Sequence, residues 1–244
     1  MSGPVFVVPP DRLVLGDVLV DGAEGHHAAR VLRLRPGEPV VLTDGLGVRG
    51  TGAVRETAAD RLTVGVTSLV EEPQPAPRFV VVQALAKGDR RSETAVETLT
   101  EVGVDTVVPW SASRSIVQWR ADRVHKGLAR WRSTAYAAAK QSRRAWFPQV
   151  EDLADTPTVC RLLEEAALAL VLHESADRPL VSVPLPEHGD IVVVVGPEGG
   201  VSDEELGAFT DSGATLCRLG TAVLRTSTAG TAALAALSAR TRWR

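Results

Sequence analysis

The sequence contains few cysteines, few aromatic residues and no long apolar run. Its 244 residues include two cysteines, Cys160 and Cys217, and only 4% aromatic residues. Two distant cysteines without a CxxC pair predict neither a disulfide framework nor a zinc site, so we expect two buried thiols. The strongly apolar run at residues 191–195 is strand-sized, and no apolar run approaches the roughly 18 residues of a membrane span. We therefore expect a cytoplasmic protein that binds no metal and no membrane.

Positive charge is not in excess. The chain has 27 Lys and Arg against 30 Asp and Glu, a formal net charge of −3. Proteins that coat nucleic acid usually have a strongly basic surface, so this balance argues mildly against that class. It leaves room for an enzyme with one local basic face. The 44% of hydrophobic residues are enough for a sizeable core, which must consist mainly of Val, Leu and Ala.

A proline-rich segment divides the chain. Residues 71–77, EEPQPAP, have three alternating prolines and no apolar pattern, which indicates a stiff linker. Before it, four short Val-rich runs and a helical stretch at 25–34 predict a small β-barrel. After it, apolar runs alternate with helical stretches, a pattern typical of an α/β domain whose parallel sheet is covered on both faces. We predict a barrel domain over residues 1–72 and an α/β domain over residues 73–244.

The first loop of chemical interest is GPEGG at 196–200. It follows the apolar strand 191–195 and precedes a helix whose Ser202 and Glu205 have the spacing of a capping box. Ligands of open α/β sheets bind outside the carboxyl ends of the strands, and glycines let backbone amides approach them. The segment is neither a Walker A loop nor a GxGxxG fingerprint. By itself it indicates either a ligand loop or a tight turn.

A second loop, LGTAVLRTSTA at 219–229, has the same architecture. A strand end is followed by Gly220, the apolar pair Val223 and Leu224, then Arg225 and a hydroxyl-rich start of an Ala-rich helix predicted from residue 228. The hydroxyl side chains suit helix capping. Considered alone, Arg225 is typical of a surface cation.

Together these two loops resemble the C-terminal signature of the RsmE-type RNA methyltransferases of the SPOUT superfamily. Further segments match that family in the same order along nearly the whole chain. They are H…VLR at 27–33, KGD at 87–89, TEVGV at 100–104 with Pro109, SRS at 113–115, and QSR at 141–143 with Pro148. One such motif is weak evidence, whereas the ordered set is specific.

The resemblance implies an α/β SPOUT domain, tied in a deep trefoil knot and preceded by a small PUA-like, RNA-binding β-barrel. It implies a homodimer that uses S-adenosyl-L-methionine to methylate N3 of a specific uridine in 16S rRNA of the small ribosomal subunit. The cofactor would be held by the loops after residue 172, after residue 195 and at 219–228. The cofactor-binding residues implied in this way are Leu172, His173, Glu174, Gly196, Pro197, Glu198, Gly199, Gly200, Leu219, Gly220, Val223, Leu224, Thr226 and Thr228.

Charged residues are the candidates for catalysis and RNA contact. Removal of the N3 proton places negative charge on the uracil oxygens, and a cation beside the base stabilises that anion more than the neutral base. Arg225 is our candidate for this cation, and Glu198 for a general base or an organiser of the cofactor loop. Arginine also binds phosphate through its planar fork. Seven arginines are candidates for RNA contact, and for each of them a solvated surface position is an equally good interpretation. They are Arg30, Arg33, Arg90, Arg91, Arg114, Arg143 and Arg144.

The chain departs from the family pattern in four places. Ser227 stands where the family commonly has Glu, and Thr98 where it usually has Lys. Lys140 and a neighbouring Ala replace expected acids, and no Arg lies beside Phe6. Roles that relatives give to those side chains do not carry over to this chain.

Three other functions are compatible with parts of the pattern. One is a SPOUT methyltransferase that acts on transfer RNA or on a ribose hydroxyl, against which the first domain and the H…VLR match argue. Another is a non-catalytic RNA-binding or ribosome-assembly protein, which a measurable affinity for S-adenosylmethionine would disfavour. The third, a nucleotide-binding α/β enzyme, is disfavoured because no phosphate loop is present.

Overall fold

A computed structural model describes residues 3–243, apart from the side chains of Asp89, Ala121 and Asp122. Two compact units are present. The first contains the described residues up to Gln74 together with the segment Ala139–Phe147. The second contains Pro75–Ala138 and the described residues from Pro148 onward.

The first unit is built on a five-stranded sheet with short helical segments, one of them a 3-10 helix at Pro10–Arg12. β1 pairs with β3 in parallel, and the other pairs are antiparallel, in the order β1-β3-β4-β5-β2. The elements are β1 (Val5–Val7), β2 (Gly16–Val20), α1 (Gly22–His26) with a π-helical turn (His27–Val31), β3 (Pro39–Thr43), β4 (Val48–Ala58) and β5 (Arg61–Glu71). The sequence predicted the other strands but missed β4, because its glycines and charged residues break the apolar pattern that identifies a strand.

The segment at 139–147 packs on the first unit through backbone and side-chain hydrogen bonds. Gly47 donates its N–H to the carbonyl of Ala145 at 3.1 Å, and the Trp146 ring N–H donates to the carbonyl of Glu72 at 2.9 Å. Lys140, one of the departures from the family pattern, donates to both carboxylate oxygens of Glu24 at 2.6 Å. Both side chains of this ion pair are largely buried, so the basic residue at position 140 has an acidic partner within the same unit.

The second unit is built on a six-stranded sheet in which every pair is parallel, in the order β11-β9-β10-β6-β7-β8. The predicted α/β class with a parallel sheet is therefore confirmed. Its strands are β6 (Arg78–Ala84), β7 (Thr106–Trp110), β8 (Gln149–Val150), β9 (Leu168–Leu172), β10 (Asp190–Val195) and β11 (Thr215–Cys217). Its helices are α2 (Asp89–Glu101), α3 (Ala121–Gln141), α4 (Thr156–Glu165), α5 (Asp203–Asp211) and α6 (Thr226–Arg240).

The central strand β10 explains why the sequence around it is apolar at every position. Successive side chains of a strand point to opposite faces of the sheet. Val193 packs in one buried cluster with residues of α2, α3 and α6, including Leu99 and Leu234. Val194 packs in the other with residues of α4 and α5, including Phe209. Both faces are covered, so neither can be polar.

The two cysteines differ in burial. Cys217 is buried, but Cys160 is only partly buried, so the prediction of two buried thiols was wrong for Cys160. Its side chain lies at the margin of the core cluster beneath α4. None of the helices in residues 3–243 is long and apolar enough to cross a membrane. Within the same residues no group of three or more His, Cys, Asp or Glu side chains is arranged to hold a metal ion.

Candidate active site

Three loops of the second unit meet at the carboxyl edge of the sheet. They follow β9, β10 and β11, which are neighbours in the sheet order, so their loops leave the sheet side by side. Together with the start of α6 they enclose a cavity of about 780 Å³. This position, outside the carboxyl ends of parallel strands, is where open α/β sheets bind their ligands.

Twelve of the fourteen residues implied as cofactor-binding line this cavity. They are Leu172, His173, Glu174, Gly196, Pro197, Glu198, Gly200, Leu219, Gly220, Val223, Leu224 and Thr226. Residues that sequence reasoning did not single out also line it, among them Val195, Val201, Arg218, Thr221 and Ala222. All five are chain neighbours of implied residues, so their proximity along the chain was the available signal.

Gly199 and Thr228 do not line the cavity. A Cβ at Gly199 would lie 2.8 Å from the carbonyl oxygen of Arg114, so this glycine faces the loop after β7. Thr228 is exposed on the first turn of α6, and its hydroxyl donates to the carbonyl of Arg225 at 3.2 Å. The helix begins at Thr226 rather than at residue 228, and no side chain caps its N-terminus at Arg225.

The cavity wall combines apolar side chains with backbone that a ligand can approach closely. Leu172, Val195 and Leu219 supply apolar surface. A Cβ at Gly220 would point into open space, and Gly200 adopts a φ of 75°, which an L residue rarely occupies. Apolar walls, exposed backbone and a few charged groups suit a nucleoside-containing ligand with a polar end.

Glu205 holds the loop after β10 to two other parts of the second unit. The predicted capping box is confirmed. The Ser202 hydroxyl accepts a hydrogen bond from the backbone N–H of Glu205 at 3.2 Å, and the Glu205 carboxylate accepts one from the backbone N–H of Ser202 at 3.0 Å. The Glu205 carboxylate is buried and also accepts from the N–H of Ser113 at 2.7 Å and from the hydroxyl of Thr156 at 3.3 Å. One carboxylate therefore ties α5, the loop after β7 and the start of α4 together beside the cavity.

The two candidate catalytic residues lie on opposite loops of the cavity. Glu198 is exposed, and its Oε1 accepts from the backbone N–H of Lys87 at 3.0 Å, which joins the loop after β10 to the loop after β6. Arg225 is exposed at the N-terminal end of α6. In the described part of the chain its guanidinium has no ion-pair partner, so it can interact with a ligand.

A second, smaller pocket of about 390 Å³ shares residues with the cavity. It is lined by Lys87, Gly88, Arg90, Arg91, Thr94, Arg225 and Ser227. Arg91, Arg225 and Ser227 line both spaces, so the two are contiguous.

The structure divides the seven RNA-binding candidates between the units. Arg30, Arg33, Arg143 and Arg144 belong to the first unit, and Arg90, Arg91 and Arg114 to the second. Arg30 pairs with Asp60 at 3.3 Å, and hydrogen bonds from His26 and Arg30 hold the pKa of that carboxyl below its ordinary value. Arg114 donates to the carbonyl of Val201 at 3.4 Å, and thus lies against the loop after β10.

Two of the departures from the family pattern lie on helices that face each other. Thr98 is on α2 and Ser227 is in the first turn of α6. The Thr98 hydroxyl shares a 2.7 Å hydrogen bond with Thr231, one turn beyond Ser227. At Thr98 the chain therefore joins the two helices with a neutral hydroxyl pair.

Comparison with family models defines the class. Residues 72–238 match the model described as an RNA methyltransferase domain, and residues 20–67 match the model described as an RNA methyltransferase PUA domain. Fold, cavity and matched domains are those of a SPOUT-type RNA methyltransferase with an N-terminal PUA domain.

Individual relatives narrow the class to one family. The ribosomal RNA small subunit methyltransferase E of Mycobacterium bovis is 44% identical over 92% of this chain and 87% of its own length. The crystal structure of the enzyme of that name from Neisseria gonorrhoeae, bound to S-adenosyl methionine, matches with a TM-score of 0.86 at 27% identity, covering 98% of each chain. A methyltransferase of Legionella pneumophila in complex with the same cofactor matches with a TM-score of 0.86 at 26% identity, covering 99% of each chain. The chain belongs to the ribosomal RNA small subunit methyltransferase E family.

Proposed function

We propose that this protein transfers a methyl group from S-adenosylmethionine to N3 of one specific uridine in 16S rRNA of the small ribosomal subunit. The observation that carries the proposal is the cavity of about 780 Å³ at the carboxyl ends of β9, β10 and β11. Two of the three loops that form it carry the motifs that resemble the RsmE signature. The Mycobacterium bovis and Neisseria gonorrhoeae relatives act on small-subunit ribosomal RNA according to their names, which supports the same substrate class.

The lining of the cavity fits S-adenosylmethionine. Leu172, Leu219 and Leu224 offer apolar surface for the adenine, and the glycine-rich backbone at 196–200 and at Gly220 offers N–H and C=O groups to the ribose and the methionine moiety. When bound, the cofactor supplies a methyl group on a sulfonium, which is already activated for transfer. The chain's own tasks are therefore to align the uracil and to manage the charge that develops when its N3 proton leaves.

Arg225 serves the second task. It lines the cavity and, among the residues that the structure describes, has no ion-pair partner that would neutralise it. Its charge stabilises the uracil anion more than the neutral base, which is the condition for accelerating the reaction. Glu198 is our candidate both for the general base that accepts the N3 proton and for the organiser of the cofactor loop, because its exposed carboxylate accepts a hydrogen bond from the backbone N–H of Lys87. Alignment contributes on the order of 7–11 kcal/mol of such a barrier.

The remaining parts of the proposal concern RNA and assembly. N3 lies on the pairing edge of uracil, so the target base must be unpaired or flipped, which costs a few kcal/mol. We assign RNA binding to the PUA-like unit, with its four candidate arginines, and to the basic residues around the active site. We further propose that the protein is a homodimer, that its second unit contains a trefoil knot, and that it is located in the cytoplasm, where small subunits are found. Light scattering should then give about twice the chain mass of 25.9 kDa.

The decisive experiment uses small ribosomal subunits from a strain that lacks this gene. The purified protein is incubated with radiolabelled S-adenosylmethionine and the subunits, and the label is mapped by nucleoside mass spectrometry. We expect 3-methyluridine at a single position. Label on another nucleoside would replace the N3 assignment with another RNA target. Absence of label on subunits, free ribosomal RNA and transfer RNA would favour a non-catalytic RNA-binding role.

Arg225 is tested by substitution. Arg225→Ala should lower turnover by about a hundredfold, the loss typical of one group that stabilises a developing anion, while cofactor affinity stays within about twofold. Arg225→Lys keeps the charge and should recover part of the turnover. Both quantities are measured with single-turnover kinetics and calorimetric cofactor titration. Equal turnover in wild type and Arg225→Ala would remove Arg225 from the mechanism.

A further inference from the structure

The smaller pocket beside the active-site cavity is strongly cationic. Four of its seven lining residues are basic, namely Lys87, Arg90, Arg91 and Arg225. Among the described residues no carboxylate lines it. These four positive charges surround one opening and repel one another. An anion that binds between them therefore lowers the electrostatic energy of the site.

Some basic residues of the chain are neutralised by an acidic partner, as Arg78 is by Asp190 and Arg132 by Asp152. For the four pocket residues, the described part of the chain provides no ion pair at all. An unpaired cluster of guanidinium groups and an ammonium group is the arrangement that proteins use for phosphate.

The position of the pocket indicates which phosphate it takes. Arg91, Arg225 and Ser227 line both the pocket and the active-site cavity. A nucleotide whose base enters the cavity has its backbone phosphates about one sugar away, which places one of them at this shared edge. The Lys87 backbone is also bonded to Glu198 of the cofactor loop, so the pocket and the cavity are held in register.

We propose that this pocket, lined by Lys87, Arg90, Arg91 and Arg225, binds one backbone phosphate adjacent to the nucleotide that is methylated. The inference rests on the proposed function, because the base must enter the neighbouring cavity. The phosphate anchors the flipped nucleotide and positions its base before methyl transfer. Another anion, the carboxylate of the cofactor itself, is the competing occupant, and the test separates the two.

Arg90 and Thr94 make the test selective because they line the pocket but not the active-site cavity. Binding to small ribosomal subunits is first measured as a function of salt, which requires no knowledge of the target nucleotide. Arg90→Gln should reduce the slope of log K against log salt by about 0.7, the value for one phosphate on a single strand. Arg161→Gln is the matched control, since Arg161 is an exposed arginine of α4 outside both spaces.

The second measurement identifies the phosphate. RNA fragments containing the target uridine carry a neutral methylphosphonate on its 5′ or its 3′ side. One of the two should weaken binding to the wild type on the order of tenfold, the loss expected for a charged hydrogen-bonded pair. The same replacement should change binding to Arg90→Gln by less than about twofold, because the pair is already broken.

Further outcomes decide between the occupants. Thr94→Glu places a carboxylate in the pocket and should weaken RNA binding. Thr94→Gln introduces an uncharged side chain of the same shape as Glu and should not weaken it. Equal losses from the methylphosphonates in wild type and Arg90→Gln would overturn the proposal. So would a large loss of cofactor affinity in Arg90→Gln with an unchanged salt slope, which would assign the pocket to the cofactor. If the wild type methylates no RNA but the salt slopes still differ, the proposed function fails and the phosphate site remains.

Discussion

Removal of the Glu205 carboxylate should destabilise the second unit far more than removal of any neighbouring acid. Glu205 is only 5% exposed, and its two oxygens accept hydrogen bonds from the N–H groups of Ser113 and Ser202 and from the hydroxyl of Thr156. In Glu205→Ala these donors lose their acceptor. A buried donor without a partner costs about 1–3 kcal/mol. The Ser202 N–H is buried and the Ser113 N–H is partly buried, so together with the lost capping box we expect a loss of about 3 kcal/mol in the free energy of unfolding.

For a domain of this size, that loss corresponds to a fall in Tm of roughly 6–12 °C. The assay is thermal unfolding followed by circular dichroism, with urea denaturation as a second measure. Asp203→Ala is the matched control, because Asp203 is exposed in the same first turn of α5 and its loss removes the same charge. It should cost about 0.3–1 kcal/mol through the helix dipole. If Glu205→Ala melts within about one degree of the control, the three hydrogen bonds do not stabilise the loop as argued.

Two further predictions concern a glycine and a thiol. A Cβ at Gly47, where φ is 110°, would lie 2.6 Å from the Trp146 ring, so Gly47→Ala should lower the free energy of unfolding by about 2–4 kcal/mol in urea titration. Gly37→Ala, at a φ of 90° with open space around it, should cost only about 1 kcal/mol, and equal losses would contradict the steric argument. Burial raises the pKa of Cys217 to about 12, so iodoacetamide at pH 8 should modify Cys160 alone in the native protein, as intact mass would show. Two adducts on the native protein would refute the burial of Cys217. The raised pKa of Cys217 also predicts a pH dependence of stability: its contribution to the native state is fully present below the ordinary thiol pKa of 9.0 and should be lost as the pH rises from about 9 towards 12.

The parallel sheet could be predicted because its signal is local. Strands buried on both faces must be apolar at nearly every position, and residues 191–195 satisfy this rule without help from context. The capping box at Ser202 and Glu205 was equally readable, since its residues are three apart. In contrast, the sequence did not predict β4. This strand contains Gly50, Gly52 and several charged residues, which break the apolar pattern, and it is held in place by hydrogen bonds to its partners β3 and β5.

The candidate site shows the same division. The motifs at 196–200 and 219–226 identify the loops, but not which residue of each loop faces the cavity. Gly199 is the fourth of the five residues of the first motif, yet it faces Arg114. Lys87 and Arg225 are 138 positions apart in the chain, and only the folded sheet brings them to one pocket. The motifs therefore predicted which loops contribute residues to the site, but not how those residues are arranged around the cavity.

The amino-acid sequence alone determined the α/β class of the second unit and the family, because periodicity and ordered motifs are properties of the chain itself. The tertiary structure decided which side chains share a space. It placed the segment 139–147 with the first unit, gave Lys140 its partner Glu24, and gathered four basic side chains in one pocket next to the active-site cavity. These are contacts between residues distant along the chain, and their energies depend on burial and distance, which exist only after folding.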